Sequence, residues 1–141
     1  MVFIALLSLA LLLIVFSVKH IPVGMVYTLQ RANGRARLLR EGTHLVLPLV
    51  ERVRHKISLT GRILELQGEG QSVRLYWQVI DPIQADGLID QAEALLGNEA
   101  QDLLKSIDKM SPASLENLKG VLNARYTERG LRVIRVESSS N

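Results

Sequence analysis

The first segment of the chain limits what the rest can be. Residues 2–18 contain no charged residue, no glycine and no proline, and thirteen of them are Val, Ile, Leu or Phe. A helix of that length measures roughly 26 Å, slightly less than the ~30 Å hydrocarbon core of a bilayer. Insertion free energies of about −0.3 to −0.6 kcal/mol per large apolar residue favour entry into that core. We therefore predict an uncleaved N-terminal transmembrane helix.

The membrane-anchoring role falls on the large apolar residues of this run. They are Val2, Phe3, Ile4, Leu6, Leu7, Leu9, Leu11, Leu12, Leu13, Ile14, Val15, Phe16 and Val18. A cleaved signal peptide is one alternative, but it requires a basic n-region and a small-residue cleavage site, which the flanks lack. A buried core helix is another, although the rest of the chain is not apolar enough to surround one. The uncleaved anchor remains the favoured interpretation.

The basic residues give the orientation of this helix. Those nearest to the run follow it, beginning with Lys19. Because positive residues stay on the cytoplasmic side, we predict a single-pass membrane protein with its domain in the cytoplasm. The remaining length suits one domain with its own core. We divide the chain into a membrane anchor over 1–20, a domain over 21–137 and a polar tail over 138–141.

Charge is distributed unevenly along the chain. Residues 19–62 carry nine basic and two acidic side chains, whereas residues 63–110 carry three basic and nine acidic ones. A basic region beside an anchor attracts anionic lipid headgroups, by about 1 kcal/mol for each well-placed Lys or Arg. Nucleic acid is not expected as a partner, because the basic residues are dispersed and aromatic residues are few. We assign membrane-surface contact to Lys19, Arg31, Arg35 and Arg37, with an ordinary solvated face as the alternative.

Short β-forming segments follow the apolar run. Asn33-Gly34 is a strong hairpin signal between two of them. Val73, Leu75, Trp77 and Val79 alternate with polar residues, as in a strand with one buried face. Strands are predicted over 25–30, 36–39, 43–47, 52–59, 63–67, 72–80 and 131–136.

The periodicity changes after Pro82. Apolar residues recur at steps of three and four between Ala92 and Ile107, which indicates an amphipathic helix. Ser111-Pro112 begins a second helix, because Ser caps a helix N-terminus and Pro suits its first turn. Gly130 is the candidate C-cap of that helix. The predicted fold class is α+β: a transmembrane helix, then a curled, mostly antiparallel sheet with helices packed on one face.

No pattern in the chain supports catalysis or cofactor binding. His20, His44 and His55 are scattered without metal-ligand spacing, and the chain has no cysteine. The Gly68-x-Gly70 pair precedes a strand rather than a helix, so it forms no phosphate-binding loop. We therefore predict a protein that is not an enzyme, with no catalytic, metal or cofactor-binding residues.

Several motifs appear in a familiar order. Residues 18–35 and 39–53 contain two turns and a hairpin before an apolar strand that ends in Pro, and residues 77–82 end in Asp-Pro. A closing strand follows a glycine over 130–136. With these motifs the chain resembles an SPFH (band-seven) domain, the family of stomatins, prohibitins and flotillins, over most of residues 18–137. The turn residues that carry the resemblance are Gly24, Gly34, Gly42, Pro48, Asp81 and Pro82.

The resemblance implies a membrane-anchored, non-enzymatic scaffold. Such a domain lies on the bilayer, forms homo- or hetero-oligomers laterally and organises other membrane proteins, commonly proteases or channels. This sequence departs from the pattern at Glu41, where the family has Pro, and in the shortened segment 67–72. No long Ala/Glu-rich helix follows Val136, which puts ring assembly in doubt. The alternatives are an exported binding module on an uncleaved signal anchor, serving as accessory subunit of a membrane complex, and an enzyme subunit.

Overall fold

The structure, a computed structural model, describes residues 1–68 and 70–139. The chain divides into two compact units, Met1–Ser58 and Leu59–Asn141. The first unit contains α1 (Val2–Ser17), β1 (Val18–Ile21), β2 (Met25–Arg31), β3 (Ala36–Leu39), β4 (Gly42–Leu45) and β5 (Glu51–Ser58). The second contains β6 (Arg62–Gln67), β7 (Ser72–Val79), α2 (Pro82–Ala85), α3 (Ala92–Lys105), α4 (Pro112–Tyr126), a 3₁₀ turn (Thr127–Arg129) and β8 (Leu131–Ser139).

The predicted α+β class with antiparallel strands is confirmed, but the prediction of a transmembrane helix is wrong. Helix α1 has 16 residues. Within residues 1–68 and 70–139, no helix is long and apolar enough to cross a membrane. Val18 ends α1 because its backbone is already extended (φ −80°, ψ 118°) and pairs with Leu45 as the first residue of β1. The prediction of a single-pass membrane protein depended on that helix and is wrong as well.

Within the described residues, the strands form three small antiparallel sheets rather than the one curled sheet expected. In the first unit β1 pairs with β4, and β2 lies between β3 and β5. The predicted Asn33-Gly34 hairpin joins β2 to β3. Its turn is held by Asn33 Oδ1, which accepts the backbone N–H of Arg35 at 3.1 Å. Ile21, Leu29, Leu39 and Val46 form the core of this unit.

In the second unit β7 lies between β6 and β8. The predicted alternation is confirmed, since Val73, Leu75, Trp77 and Val79 are all buried. Helix α3 packs against β6 and helix α4 against β8. The buried face of α3 carries Ala92, Leu96, Ala100 and Leu104, and that of α4 carries Leu115, Leu118, Leu122 and Tyr126.

The helix boundaries follow their local signals. Ser111 caps α4: its Oγ accepts the backbone N–H of Ser114 at 3.1 Å, and the Ser114 Oγ accepts the N–H of Ser111 at 2.8 Å. Pro112 occupies the first turn, as predicted. At the other end of the unit, β8 continues through Ser138 and Ser139. Ser140 and Asn141, the rest of the predicted polar tail, lie outside the described residues.

Candidate interaction surfaces

Helix α1 exposes an apolar surface on all its sides. Eleven of its large apolar residues are exposed, by fractions that range from 54% at Leu9 to 78% at Phe3. Leu13 is half-buried and Ser17 is buried. The carbonyl of Ser17 accepts the N–H of Val46 at 2.7 Å, which ties the C-terminal end of the helix to its unit. Apart from Leu13, the residues assigned to anchoring are therefore not covered by the rest of the chain, and exposed apolar area of this kind is unfavourable in water.

A buried carboxylate organises the loop between β4 and β5. Glu51 is only 4% exposed, and its Oε1 accepts hydrogen bonds from Arg31 Nε at 2.7 Å and Arg37 Nη1 at 3.3 Å. Its Oε2 accepts the N–H of Leu47 at 3.4 Å. The Arg31 hydrogen bond holds the pKa of Glu51 below its ordinary value, against the opposing effect of burial. The cluster therefore keeps a negative charge inside a basic unit.

The four basic residues assigned to lipid contact occupy different environments. Arg31 and Arg37 converge on Glu51, so part of their positive charge is neutralised within the unit. Arg35 lies in the β2–β3 turn and Lys19 on the exposed side of β1, in another sheet. A cavity of about 300 Å³ beside this cluster is lined by Gln30, Arg31, Ala32, Leu49, Val50 and Arg52. Their contact with lipid stays a prediction.

The motif turns fall into two groups. In the first unit the Glu41 carboxylate accepts the N–H of Gly24 at 3.4 Å, so the residue that departs from the family pattern links two motif turns. Gly42 begins β4, Pro48 starts the turn after it, and Gly34 lies in the β2–β3 turn. These turns shape the strands and do not converge on one site.

The second group meets at the start of α2. Asp81 caps this helix: its Oδ1 accepts the N–H groups of Ile83 at 3.0 Å and Gln84 at 3.2 Å, and Pro82 follows at the first helical position. The carbonyl of Gly130 accepts the N–H groups of Ile80 at 2.8 Å and Asp81 at 3.2 Å. Motif residues far apart in sequence therefore form one junction, whose role is structural.

A groove lies beside α3 and α4. It has a volume of about 560 Å³, and Leu95, Asn98, Glu99, Asp102, Leu103, Ser106, Arg125 and Tyr126 line it. The Tyr126 hydroxyl donates to Glu99 Oε2 at 2.7 Å, and Arg125 pairs with Glu99 Oε1. Burial, and next the hydrogen bond to Glu99, raise the pKa of Tyr126 to about 12. The phenol therefore stays neutral and acts as a donor.

The raised pKa of Tyr126 is testable. A phenol that ionises at about pH 12 is expected in an absorbance titration at 295 nm, and Tyr126→Phe is expected to remove that step. Because the folded pKa lies above the unfolded value of about 10, the contribution of Tyr126 to stability is complete below that pH and is lost as pH rises towards 12. An unchanged titration curve in Tyr126→Phe would contradict the assignment.

Side-chain amides close part of both edges of the β6–β7–β8 sheet. Asn123 on α4 accepts the N–H of Val133 at 2.8 Å through Oδ1 and donates to its carbonyl at 3.0 Å through Nδ2. On the opposite edge, Gln101 on α3 bonds both the N–H and the carbonyl of Gln67. Each amide imitates the backbone of a neighbouring strand, which protects an edge from unwanted pairing.

The histidines and acidic residues do not assemble into a metal site. His20 Nδ1 lies 3.2 Å from Thr43 Oγ1, and His44 Nε2 lies 2.8 Å from the carbonyl of Arg40. In the described part of the chain, no three His, Cys, Asp or Glu side chains are grouped to hold a metal ion. The prediction that the protein is not an enzyme stays a prediction.

Sequence reasoning missed the roles of Glu51, Glu99, Gln101 and Asn123. Two of them carried a readable signal. Glu51 is in phase with Val53 and Ile57, so it falls on the apolar face of its strand. Glu99 lies four residues after Leu95 and three after Leu96, within the apolar stripe of α3. A carboxylate in an apolar stripe needs a partner, and basic or hydroxyl residues elsewhere supply it.

Comparison with known proteins assigns the chain to no family. No family model matches the chain, so the SPFH resemblance rests on the motifs alone. An uncharacterized protein of Schizosaccharomyces pombe is 25% identical over 99 residues, which is 63% of this chain and 28% of that protein. The chain thus spans less than a third of this relative's length.

Proposed function

We propose that this chain is a non-enzymatic scaffold whose copies associate and hold other proteins beside one another. The observation that carries the proposal is the exposed surface of α1. Eleven large apolar side chains of this helix are each more than half exposed. Fully burying such a side chain is worth about 1.5–3 kcal/mol, so covering even part of this surface is a strong drive to associate.

The occupant that fits α1 best is the same helix from other copies. Residues 2–17 carry no charge, so contact between several α1 helices buries no unpaired ion. A helix that is apolar on all sides needs more than one neighbour to cover it, which favours a bundle of several helices over a pair. The first unit of each copy then surrounds the bundle. The motifs shared with SPFH domains, which imply lateral association, support the same reading.

The test compares the mass of the full chain with that of two variants, by sedimentation velocity in lipid-free buffer. The charged α1 variant is Leu6→Glu, Leu9→Lys, Leu11→Glu and Ile14→Lys, which adds two charges of each sign on different sides of the helix. The matched control replaces the same four residues with methionine, which keeps the helix apolar. We expect the natural chain and the methionine control to form assemblies of more than two copies, and the charged α1 variant to form none of that size.

Two results would contradict the proposal. One is a monomeric natural chain at concentrations of tens of micromolar. The other is a natural chain that associates only with added detergent or vesicles, because lipid rather than another copy would then cover α1. If the charged α1 variant formed the same oligomers as the natural chain, the copies would associate through a surface other than α1.

A further inference from the structure

The outer edge of β8 is closed in its first half and open in its second. The Asn123 side chain hydrogen-bonds both outward backbone groups of Val133, its N–H and its carbonyl. Since those groups point away from β7, the Trp77–Val133 pair is one that exchanges no backbone hydrogen bonds. In an antiparallel ladder, every second residue of a strand turns its backbone groups to the same side. Leu75 and Val73 on β7 therefore also form pairs that exchange no backbone hydrogen bonds with β8.

The register then tells which groups of β8 are turned outward. A bulge shifts the pairing between Tyr76 and Trp77, so Leu75 pairs with Val136 and Val73 with Ser138. The N–H and carbonyl groups of Val136 and Ser138 therefore face the outer edge. In residues 70–139, no hydrogen bond to these groups closes that edge as Asn123 closes it at Val133. Unpaired edge groups of this kind are a template for another strand.

We propose that this open half of β8 pairs antiparallel with the same segment of a second copy, about a twofold axis at Val136. This register places Arg135 of each copy opposite Glu137 of the other. Arg135 and Glu137 lie on one face of β8, as their own ion pair at 3.1 Å shows. Opposite charges directly across a strand pair are favourable, and the twofold axis makes the contact twice.

Charge selects this register over its neighbours. An axis at Glu137 would put Glu137 opposite its own copy, and an axis at Arg135 would oppose the two arginines. Like charges in those positions disfavour pairing. The Asn123 contact prevents the pairing from extending to Val133. The product is one continuous sheet of six strands, built from the β6–β7–β8 sheets of two copies.

The inference deepens the proposed function, on which it rests, by giving the scaffold a second interface. A bundle of α1 helices joins several copies, and a twofold contact at β8 joins such bundles to one another. The two interfaces involve different residues, so each can be removed while the other is kept. Failure of one is therefore distinguishable from failure of the other.

The experiment uses the full chain carrying the charged α1 substitutions, so that only the second interface remains. Arg135→Glu and Glu137→Arg are made separately in this background, and each puts like charges opposite one another in the homodimer. A mixture of the two restores opposite charges at both contacts. We expect the background chain to dimerise, each single variant to dimerise roughly tenfold or more weakly, and the mixture to recover a heterodimer in native mass spectrometry.

Several results would overturn the inference. They are a background chain that stays monomeric at high concentration, single variants that dimerise as well as the background, and a mixture that forms no heterodimer. Open-ended assemblies insensitive to the charge changes would indicate pairing of β8 with β6 instead. Val136→Pro gives an independent check, because it removes an outward N–H and no hydrogen bond to β7. We expect it to abolish the dimer while the near-ultraviolet signal of Trp77 is retained.

Discussion

Replacing Gly130 with alanine is expected to prevent stable folding of the Leu59–Asn141 unit. Gly130 has φ 81°, in the left-handed region, where a side chain costs roughly 1–2 kcal/mol. An alanine Cβ would also overlap the carbonyl oxygen of Asp81 and lie 2.9 Å from the backbone nitrogen of Ala85. These are backbone atoms of the first turn of α2, which cannot rotate away as a flexible side chain would. We expect a total loss above about 4 kcal/mol, in the range that marks a specific structural clash.

Gly34→Ala is the matched control, because Gly34 has almost the same backbone conformation. Its φ is 80°, and an added Cβ there would meet no atom within 4 Å. It should therefore lose only the left-handed backbone cost of roughly 1–2 kcal/mol. Urea unfolding followed by the fluorescence of Trp77, the single tryptophan, reports on the second unit, and far-ultraviolet circular dichroism reports on both variants. Equal losses in the two variants would show that backbone strain, and not the contact with Asp81, governs Gly130.

Local signals predicted most elements, because each depends on neighbouring residues. The Asn33-Gly34 hairpin, the alternation of β7 and the Ser111-Pro112 helix start are all in the structure. A few neighbouring residues determine each of them: the turn residues form the hairpin, the alternation of apolar and polar residues forms the strand, and the capping residues start the helix. Gly130 was predicted as the C-cap of α4, but Thr127 occupies that position and Gly130 caps the 3₁₀ turn that follows. Its contact with Asp81 lies almost fifty residues away and has no local signal.

The predictions failed where the structure depends on contacts between residues that are far apart in the sequence. The apolar run was predicted to continue through Val18, which is as apolar as the residues before it. Only its pairing with Leu45 on β4 makes Val18 a strand residue, and that pairing shortens the helix. The candidate surfaces also depend on contacts between residues distant in sequence. Arg31 binds Glu51, 20 residues away, and Tyr126 binds Glu99, 27 residues away. Asn123 and Gln101 look like ordinary surface residues until the sheet edges are in place.

Glu51→Gln is expected to loosen the first unit by about 1–2 kcal/mol at pH 7. A hydrogen bond to a charged group is worth about 1.5–3 kcal/mol, and the value is reduced here because water screens half-exposed arginines. The side chains of Arg31 and Arg37 are 43% and 40% exposed, against 3% for Glu51. The amide keeps the shape of the carboxylate but removes the charge that both guanidinium groups face. Amide hydrogen exchange in β2 and β5 measures the loss locally, without assuming that the two units unfold together.

The pH dependence separates this charge effect from a packing effect. Because the pKa of Glu51 is lowered in the folded protein, its contribution is complete above the unfolded value of about 4.3 and is lost as pH falls through the folded value. Natural chain and Glu51→Gln should therefore differ at pH 7 and converge in acid, as Glu51 becomes neutral in both. Glu41→Gln is the control, since Glu41 is exposed and its carboxylate accepts a hydrogen bond from Gly24 at 3.4 Å. A difference between the chains that stays constant with pH would mean that the shape of the Glu51 side chain, rather than its charge, holds the loop between β4 and β5.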